Sequence, residues 1–547
     1  MSMQECYPSY REVFLFSTWG DPSRWEKREY FIACLSGDEK RKLSAGEFFS
    51  ATGALKNMLK SKKTEIIVFV QDTLLLNAVK ERSLSQERIW SSSQGTKKRR
   101  ELFALIMRYL RGVEAYKELV GEGRKEDYFV ILPGMASYSE LGYLFNWRGN
   151  DCYDFIVGGM LAHALKRLRQ AQENRVAVFF DTSHGVNYFA LALKEAIPLA
   201  CSLHTIGKAL SEYSDYNLHL YHYNSQPLIE EPSGKPSIAL ELVSSIEMKF
   251  QRREGSYRNN GVFFDILRMK VENTVSARGF ENTCKSLMKR VQWISSWDKI
   301  LASGLLFMRG ILPWALRIAK DLELSLDKIL DEISTRLEDV SVLLERKAKN
   351  PVENTATYRW KSAEALEVDA ALLALLAATL REAADNLLSP CSTRHIDDAR
   401  RVLEEYAAKP GDQENLSDTL SLLNELKESC LLMSLAKITG LAEKVYSKPF
   451  SVIAQTETER VRESFELKPE KAFGQVEKLP QGDLRVKCEN FQVLIPAKKK
   501  SLDERDFYAH LGLVRGTAYS AIRTEDDYAL LLGPYSTILD ALKQWHV

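Results

Sequence analysis
The chain has 547 residues, with 75 Lys and Arg against 74 Asp and Glu, a formal net charge of +1 and a hydrophobic fraction of 45%. That length exceeds one ordinary core and predicts two or three domains. The balanced charge excludes a chain-wide polycationic surface, so any nucleic-acid contact has to be local.

The opening stretch MSMQECYPSYREVFLF has no basic region followed by an apolar one, which excludes a secretory signal and predicts a cytosolic chain. No apolar run is read as membrane-spanning. The most apolar candidate, DAALLALLAATL at 369–380, is flanked by charges and too short to cross a bilayer, so it predicts a buried bundle helix. The eight cysteines show no C-x-x-C and no Cys/His cluster at zinc-ligand spacing, which predicts reduced, mostly buried thiols and no metal site.

Along the first 225 residues, the apolar runs REVFLFSTWG, EIIVFVQD, DYFVILPG, RVAVFFDTSHG and LHLYHYNS alternate with amphipathic stretches. This pattern predicts an α/β domain with a parallel, Rossmann-like sheet covered by helices. Several runs end in Gly, Ser, Thr, Asp or Asn, and the carboxyl edge of such a sheet is where ligands bind. The stretch FFDTSHGVNYF presents Thr182, Ser183, His184, Gly185 and Asn187 between a strand and a helix start. Backbone N–H groups and the helix dipole there favour anions, and the side chains add donors for hydroxyls or base edges. A cap with a packed histidine is the plainer reading of that turn. STWGDPSRW (17–25) and PGMASYSE (133–140) also follow strands, so three polar turns are expected on one rim. No G-x-G-x-x-G follows a strand and no G-x-x-x-x-G-K-[ST] occurs, so the usual machinery of hydride transfer and P-loop hydrolysis is missing.

NSQPLIEEPSGKPS (224–237) holds three prolines and a glycine and is read as the first boundary. The resulting domains are 1–235, a helical connector at 236–350 whose leucines and isoleucines recur at three and four residue steps through 316–349, and a helical region at 351–547. A short hairpin, LRVKCENFQVLIP, is expected to interrupt the last region.

Near the end stands SLDERDFYAHLGL (501–513). Ser501 with Glu504 reads as a capping box starting a helix at about residue 502, with Arg505 and His510 inside it. Five helical steps rotate by about 140°, so the two side chains do not stack on one face, and a partner surface is needed to make them converge. The spacing alone is a weak motif, since a surface arginine and a half-buried histidine fit it equally well. Lys498, Lys499 and Lys500 supply a basic approach, and Tyr508 is a candidate for stacking a base.

Taken together, STWGDPSRW, DTSHGVNY and RDFYAHLGL resemble the CRISPR-associated CARF-HEPN ribonucleases that accompany type III interference complexes. The first two resemble the ligand-binding signatures of the CARF half, and the third the R-x4-6-H motif of the HEPN half. Many members carry Asn directly after the arginine, where this chain has Asp506. The resemblance implies an N-terminal CARF domain and a mainly α-helical C-terminal half ending in a HEPN bundle. It implies a homodimer or higher homo-oligomer whose CARF pocket takes a cyclic oligoadenylate, tetra-adenylate being the expected ring. Ser17, Thr18, Trp19, Gly134, Ser137, Thr182, Ser183, His184, Gly185 and Asn187 would line it. Arg505 and His510 would form the catalytic pair, meeting their counterparts across the dimer.

Metal-independent cleavage of single-stranded RNA uses the ribose 2′-OH as nucleophile, and it needs one group to move a proton and one to hold phosphate charge. Histidine and arginine are those residue types. The competing readings are a CARF sensor or transcriptional regulator without enzymatic activity, and an enzyme that degrades the cyclic oligoadenylate itself at Ser183 and His184.

Overall fold
The computed structural model describes residues 10–36, 39–59, 63–74, 99–121, 128–132, 134, 136–138, 143–145, 151–184, 187–211, 215–227, 237–253, 256–259, 262–276, 278–338, 340–346, 354–360, 367–408, 416–446, 448–480, 482–496, 503–510, 519–525 and 527–545. It divides into two compact units. One comprises Met1–Thr205, Tyr216–Lys249 and Leu330–Leu372; the other comprises Ile206–Asp215, Phe250–Ile329 and Leu373–Val547.

The first unit is built on β1 (Glu12–Trp19), β2 (Arg28–Ser36), β3 (Glu39–Phe48), β4 (Lys63–Gln71), β5 (Phe129–Leu132), β8 (Arg175–His184), β9 (Tyr216–Pro227) and β10 (Ser237–Arg253), in the order β3-β2-β10-β9-β8-β1-β4-β5. A separate hairpin joins β6 (Ala136–Tyr138) to β7 (Tyr143–Phe145). Each of the five apolar runs became a strand, and β9, β8, β1, β4 and β5 pair in parallel. All eight residues of β1 are buried, so the strand shows no polar alternation, as expected when helices cover both faces of a parallel sheet. The helix Asn187–Ser211 departs from the sequence expectation. Its stretch Tyr188–Ser211 is long and apolar enough to span a membrane, yet 72% of its most apolar window is buried within the fold.

The punctuation at 224–237 does not end the sheet. Residues 228–236 lie outside the described residues, but the chain re-enters as β10, which pairs in parallel with β2. The expected helical connector therefore begins with a strand. It continues as β11 (Ser256–Asn259), paired antiparallel with β10, and then runs through helices Val262–Ser276, Phe280–Arg290, Trp297–Met308, Leu312–Lys320 and Leu326–Glu338. VSVLLER, expected to continue that last helix, is instead β12 (Val340–Arg346), paired antiparallel with β13 (Asn354–Trp360). Its two valines favour a strand over a helix turn.

The second unit is helix-rich, as expected, but a helical bundle does not describe it. An antiparallel sheet runs through it in the order β14-β15-β21-β20-β19-β18-β17-β16. The expected hairpin is β18 (Leu484–Lys487) and β19 (Gln492–Ile495). The other strands, β14 (Ser389–Pro390), β15 (Leu431–Ser434), β16 (Lys471–Phe473), β17 (Val476–Lys478), β20 (Tyr519–Arg523) and β21 (Tyr528–Leu532), are two to five residues long, too short for their alternation to register. Pro390, which cannot donate to a ladder, sits on the edge strand. Helices Thr393–Ala407 and Leu416–Ser429 lay Ile396, Leu403, Leu423 and Leu426 on the sheet residues Val486, Val493, Ile522 and Leu531. Cys391 and Cys430, which flank this helical pair, form a disulfide, correcting the expectation that every thiol is reduced. Their separation of 39 residues hides a pairing that the Pro390↔Leu431 register creates. The run at 369–380 lies in the buried helix Val368–Leu387, as expected.

Candidate functional sites
At the carboxyl edge of the parallel sheet, β1 and β8 pair Ser17 with Asp181, then slip register so that Trp19 stands opposite His184. Such an irregularity re-aims side chains at a strand end. Ser17 Oγ donates to Asp181 Oδ2 at 3.0 Å and lies 2.8 Å from Thr52 Oγ1. The indole N–H of Trp19 donates to the same threonine oxygen at 2.9 Å, and the Ser183 amide donates to Asp181 Oδ1 at 2.9 Å. Ser17, Thr18, Trp19 and Asp181 are all fully buried. The first three therefore build the floor of the edge, and Trp19 packs edge-on against Trp25 and Phe129.

His184 is half-buried beside this floor. Its Nε2 lies 3.1 Å from the Tyr30 hydroxyl and its ring rests on Trp25. Burial pushes the imidazole below its usual pKa, partly opposed by the Asp181 carboxylate, and burial also raises the Tyr30 hydroxyl. Both groups are consequently neutral at neutral pH, and the edge offers them as hydrogen-bonding groups. Thr182 Oγ1 lies 3.0 Å from Nε2 of His222, whose pKa burial and the nearby Lys194 push down to about 4.

Gly134 donates its N–H to Asp72 Oδ1 at 2.8 Å. A Cβ there would come within 2.9 Å of both Gln71 Oε1 and Thr73 Cγ2, so the close approach of this turn to the end of β4 requires glycine. Ser137 lies on β6. Asn187 is the first residue of the helix Asn187–Ser211, and Gly185 lies outside the described residues. Two buried hydroxyls at this edge, Thr18 Oγ1 and Ser183 Oγ, have no hydrogen-bond partner among the described residues. An orphaned buried hydroxyl is a group that a water or a polar ligand can complete. The sequence reading missed Thr52, Asp181, Tyr30, Trp25 and His222. Asp181 and Trp25 stood within quoted motifs and His222 within a quoted apolar run, while no local pattern brings Thr52 and Tyr30 to the edge.

In the second unit, Arg505 lies on the short helix Glu504–Ala509 and is exposed. The helix begins later than the capping box placed it. Asp503 is the N-cap, accepting the Asp506 amide at 3.0 Å, while Ser501 and Lys498–Lys500 lie outside the described residues. His510 is not inside the helix but forms its C-cap, with φ −109° and ψ 20°. Phe507 is fully buried against Trp545. Tyr508 packs between Trp545 and the Arg309 guanidinium, which lies 5.3 Å from its ring centre, and burial raises its hydroxyl pKa. Tyr508 thus anchors the helix, and its ring is not free to stack a base as the sequence reading had it.

His510 Nδ1 lies 3.0 Å from Glu457 Oε1, and Arg460 Nη1 lies 2.8 Å from the same oxygen. Glu457 and Arg460 are on the helix Lys448–Ser464. The turn after that helix is held by buried Arg485, through Phe465 O at 2.5 Å and Leu467 O at 2.9 Å. The Arg485 guanidinium is itself neutralised by Glu477. The Glu457 contact has no signature in the sequence, because 53 residues separate it from His510.

Residues 14–227 match the family model described as CRISPR system endoribonuclease Csx1, CARF domain, which covers less than half of the chain and most of the parallel-sheet unit. No curated protein matches the chain.

Proposed function
We propose that the chain is a cyclic-oligoadenylate-activated endoribonuclease of type III CRISPR defence, acting as a cytosolic homodimer or higher homo-oligomer on single-stranded RNA. The observation that carries this reading is the CARF-domain match over the strands whose carboxyl edge holds the orphaned Thr18 and Ser183 hydroxyls. A CARF domain implies cyclic oligoadenylate sensing, and the polar, neutral groups of that edge suit ribose hydroxyls and base edges. Tetra-adenylate is the proposed ring.

Arg505 and His510 carry the proposed cleavage. Arg505 is exposed and has no ion-pair partner among the described residues, so its guanidinium is available to fork onto two phosphate oxygens. The imidazole of His510 takes the proton of the ribose 2′-OH as that oxygen attacks phosphorus. The P–O5′ bond breaks, the 5′ oxygen leaves with a proton supplied by an imidazolium at the groove or by water, and a 2′,3′-cyclic phosphate remains. A second protomer brings its own pair to the groove.

The test is incubation of the full chain with labelled single-stranded RNA and a panel of cyclic oligoadenylates, with EDTA present and both nucleic acids analysed. Activator-dependent RNA cleavage with cyclic phosphate ends is expected. Strict dependence on added magnesium or manganese would overturn the mechanism. Intact RNA with degraded activator would point to a ring-degrading enzyme, and neither product to a sensor without enzymatic activity.

A further inference from the structure
The cluster at His510 contains a carboxylate that the R-x4-H motif does not include. Glu457 is buried, with its side chain 8% exposed, whereas the side chains of His510 and Arg460 are 36% and 54% exposed. The three groups meet at one point. Glu457 Oε1 is 3.0 Å from His510 Nδ1 and 2.8 Å from Arg460 Nη1, and the two nitrogens are 3.2 Å apart.

Two proton arrangements fit those distances, and physical chemistry separates them. If Nδ1 were unprotonated it would accept from Arg460, but its lone pair would then face a carboxylate oxygen at 3.0 Å with no proton between them. If Nδ1 carries the proton, it donates to Glu457. Arg460 then donates to the same oxygen, so both contacts to the carboxylate have a donor and an acceptor, and the 3.2 Å between the two nitrogens is the spacing of two donors that share one acceptor. We infer that Glu457 is the positioning residue of the site, holding His510 in the Nδ1–H tautomer so that Nε2 is the basic nitrogen presented to substrate.

This rests on the ribonuclease reading for its consequence, though not for the contact itself. In the reaction, Nε2 would take the 2′-OH proton and become N–H. The resulting imidazolium would then be stabilised by the carboxylate already on Nδ1. Arg460 keeps the buried carboxylate paired from its other side while His510 is neutral, which limits the cost of burying the charge. Neutral imidazoles in water favour the opposite tautomer, so the arrangement is one the protein has to impose.

The experiment uses the full chain labelled with 15N-histidine, with His510 assigned by difference against His510→Ala. Two-bond proton–nitrogen correlation at high pH is expected to show protonated Nδ1 in the wild type and a shift toward protonated Nε2 in Glu457→Gln and Glu457→Ala. In RNA cleavage, Glu457→Gln, which keeps the shape, is expected to lower kcat about 10²-fold with little change in KM, and Glu457→Asp to recover part of it. A wild-type His510 in the Nε2–H form, or a Glu457→Gln variant that leaves the tautomer unchanged, overturns the inference. The tautomer is read on resting protein, so a chain that cleaves no RNA would defeat the ribonuclease reading and still leave this one decided.

Discussion
The carboxyl edge of the parallel sheet and the helix Glu504–Ala509 hold their chemistry in opposite ways. At the edge, Ser17, Thr18, Trp19 and Asp181 have no exposed surface, and Ser17, Trp19 and Asp181 are wired to Thr52 or Ser183. At the helix, Arg505 is exposed and His510 is open on one side, with only the anchors Phe507 and Tyr508 packed inward. A buried network fixes a shape in advance, and its members contribute to stability and to ligand fit together. An exposed arginine contributes little to stability, and Arg460 keeps Glu457 paired when His510 is lost, so the loss of either residue is felt mainly in the reaction.

The sharpest way to break that contrast is at the helix. Arg505→Ala and His510→Ala are each expected to lower RNA cleavage by about 10²–10⁴-fold while the urea unfolding midpoint and activator binding stay put. Full activity in either variant would remove the pair from the mechanism. Within the same unit, stability is expected to reside elsewhere. Cys391→Ser opens the neck of the helical pair Thr393–Ala407 and Leu416–Ser429 and should cost about 2–4 kcal/mol, read by urea denaturation. A reductant should bring the wild type to the same midpoint and leave the variant unmoved.

At the edge, His184→Ala removes the hydrogen bond to Tyr30 and the ring packed at a tilt against Trp25. The activator dose for half-maximal cleavage should rise about 5- to 150-fold, with the rate restored at saturation. A lowered plateau at unchanged dose and affinity would show that this edge is not the sensor.

The smallest effect concerns His222. Its folded pKa of about 4 lies below the unfolded value of about 6.5. As pH falls through that window the unfolded chain binds the proton first, so the stability present above pH 6.5 declines toward pH 4. Allowing for partial solvent screening, the decline is on the order of 1–2 kcal/mol. It should disappear in His222→Gln, measured as thermal midpoint against pH. Equal slopes in both proteins would place the acid sensitivity on other groups.

What the sequence determined by itself is whatever its periodicity encodes over a long enough window. Five continuous apolar runs could bury both faces only within a parallel sheet, and all five are strands of it, four interior and β5 at its edge. Thr182, Ser183 and His184 follow one of them, so their place at its carboxyl end came with it. Short strands such as β14 and β16 carry no period to read, which is why the sheet of the second unit went unseen beyond one hairpin. Strand β10 lay behind a stretch whose prolines looked like an ending. Tertiary structure alone decided the partners: Thr52 on Ser17, Tyr30 on His184, Cys430 on Cys391, and Glu457 on His510 across 53 residues. Hydrogen bonds and ion pairs depend on distance in space, and only the packed chain brings those residues within 3–4 Å of each other.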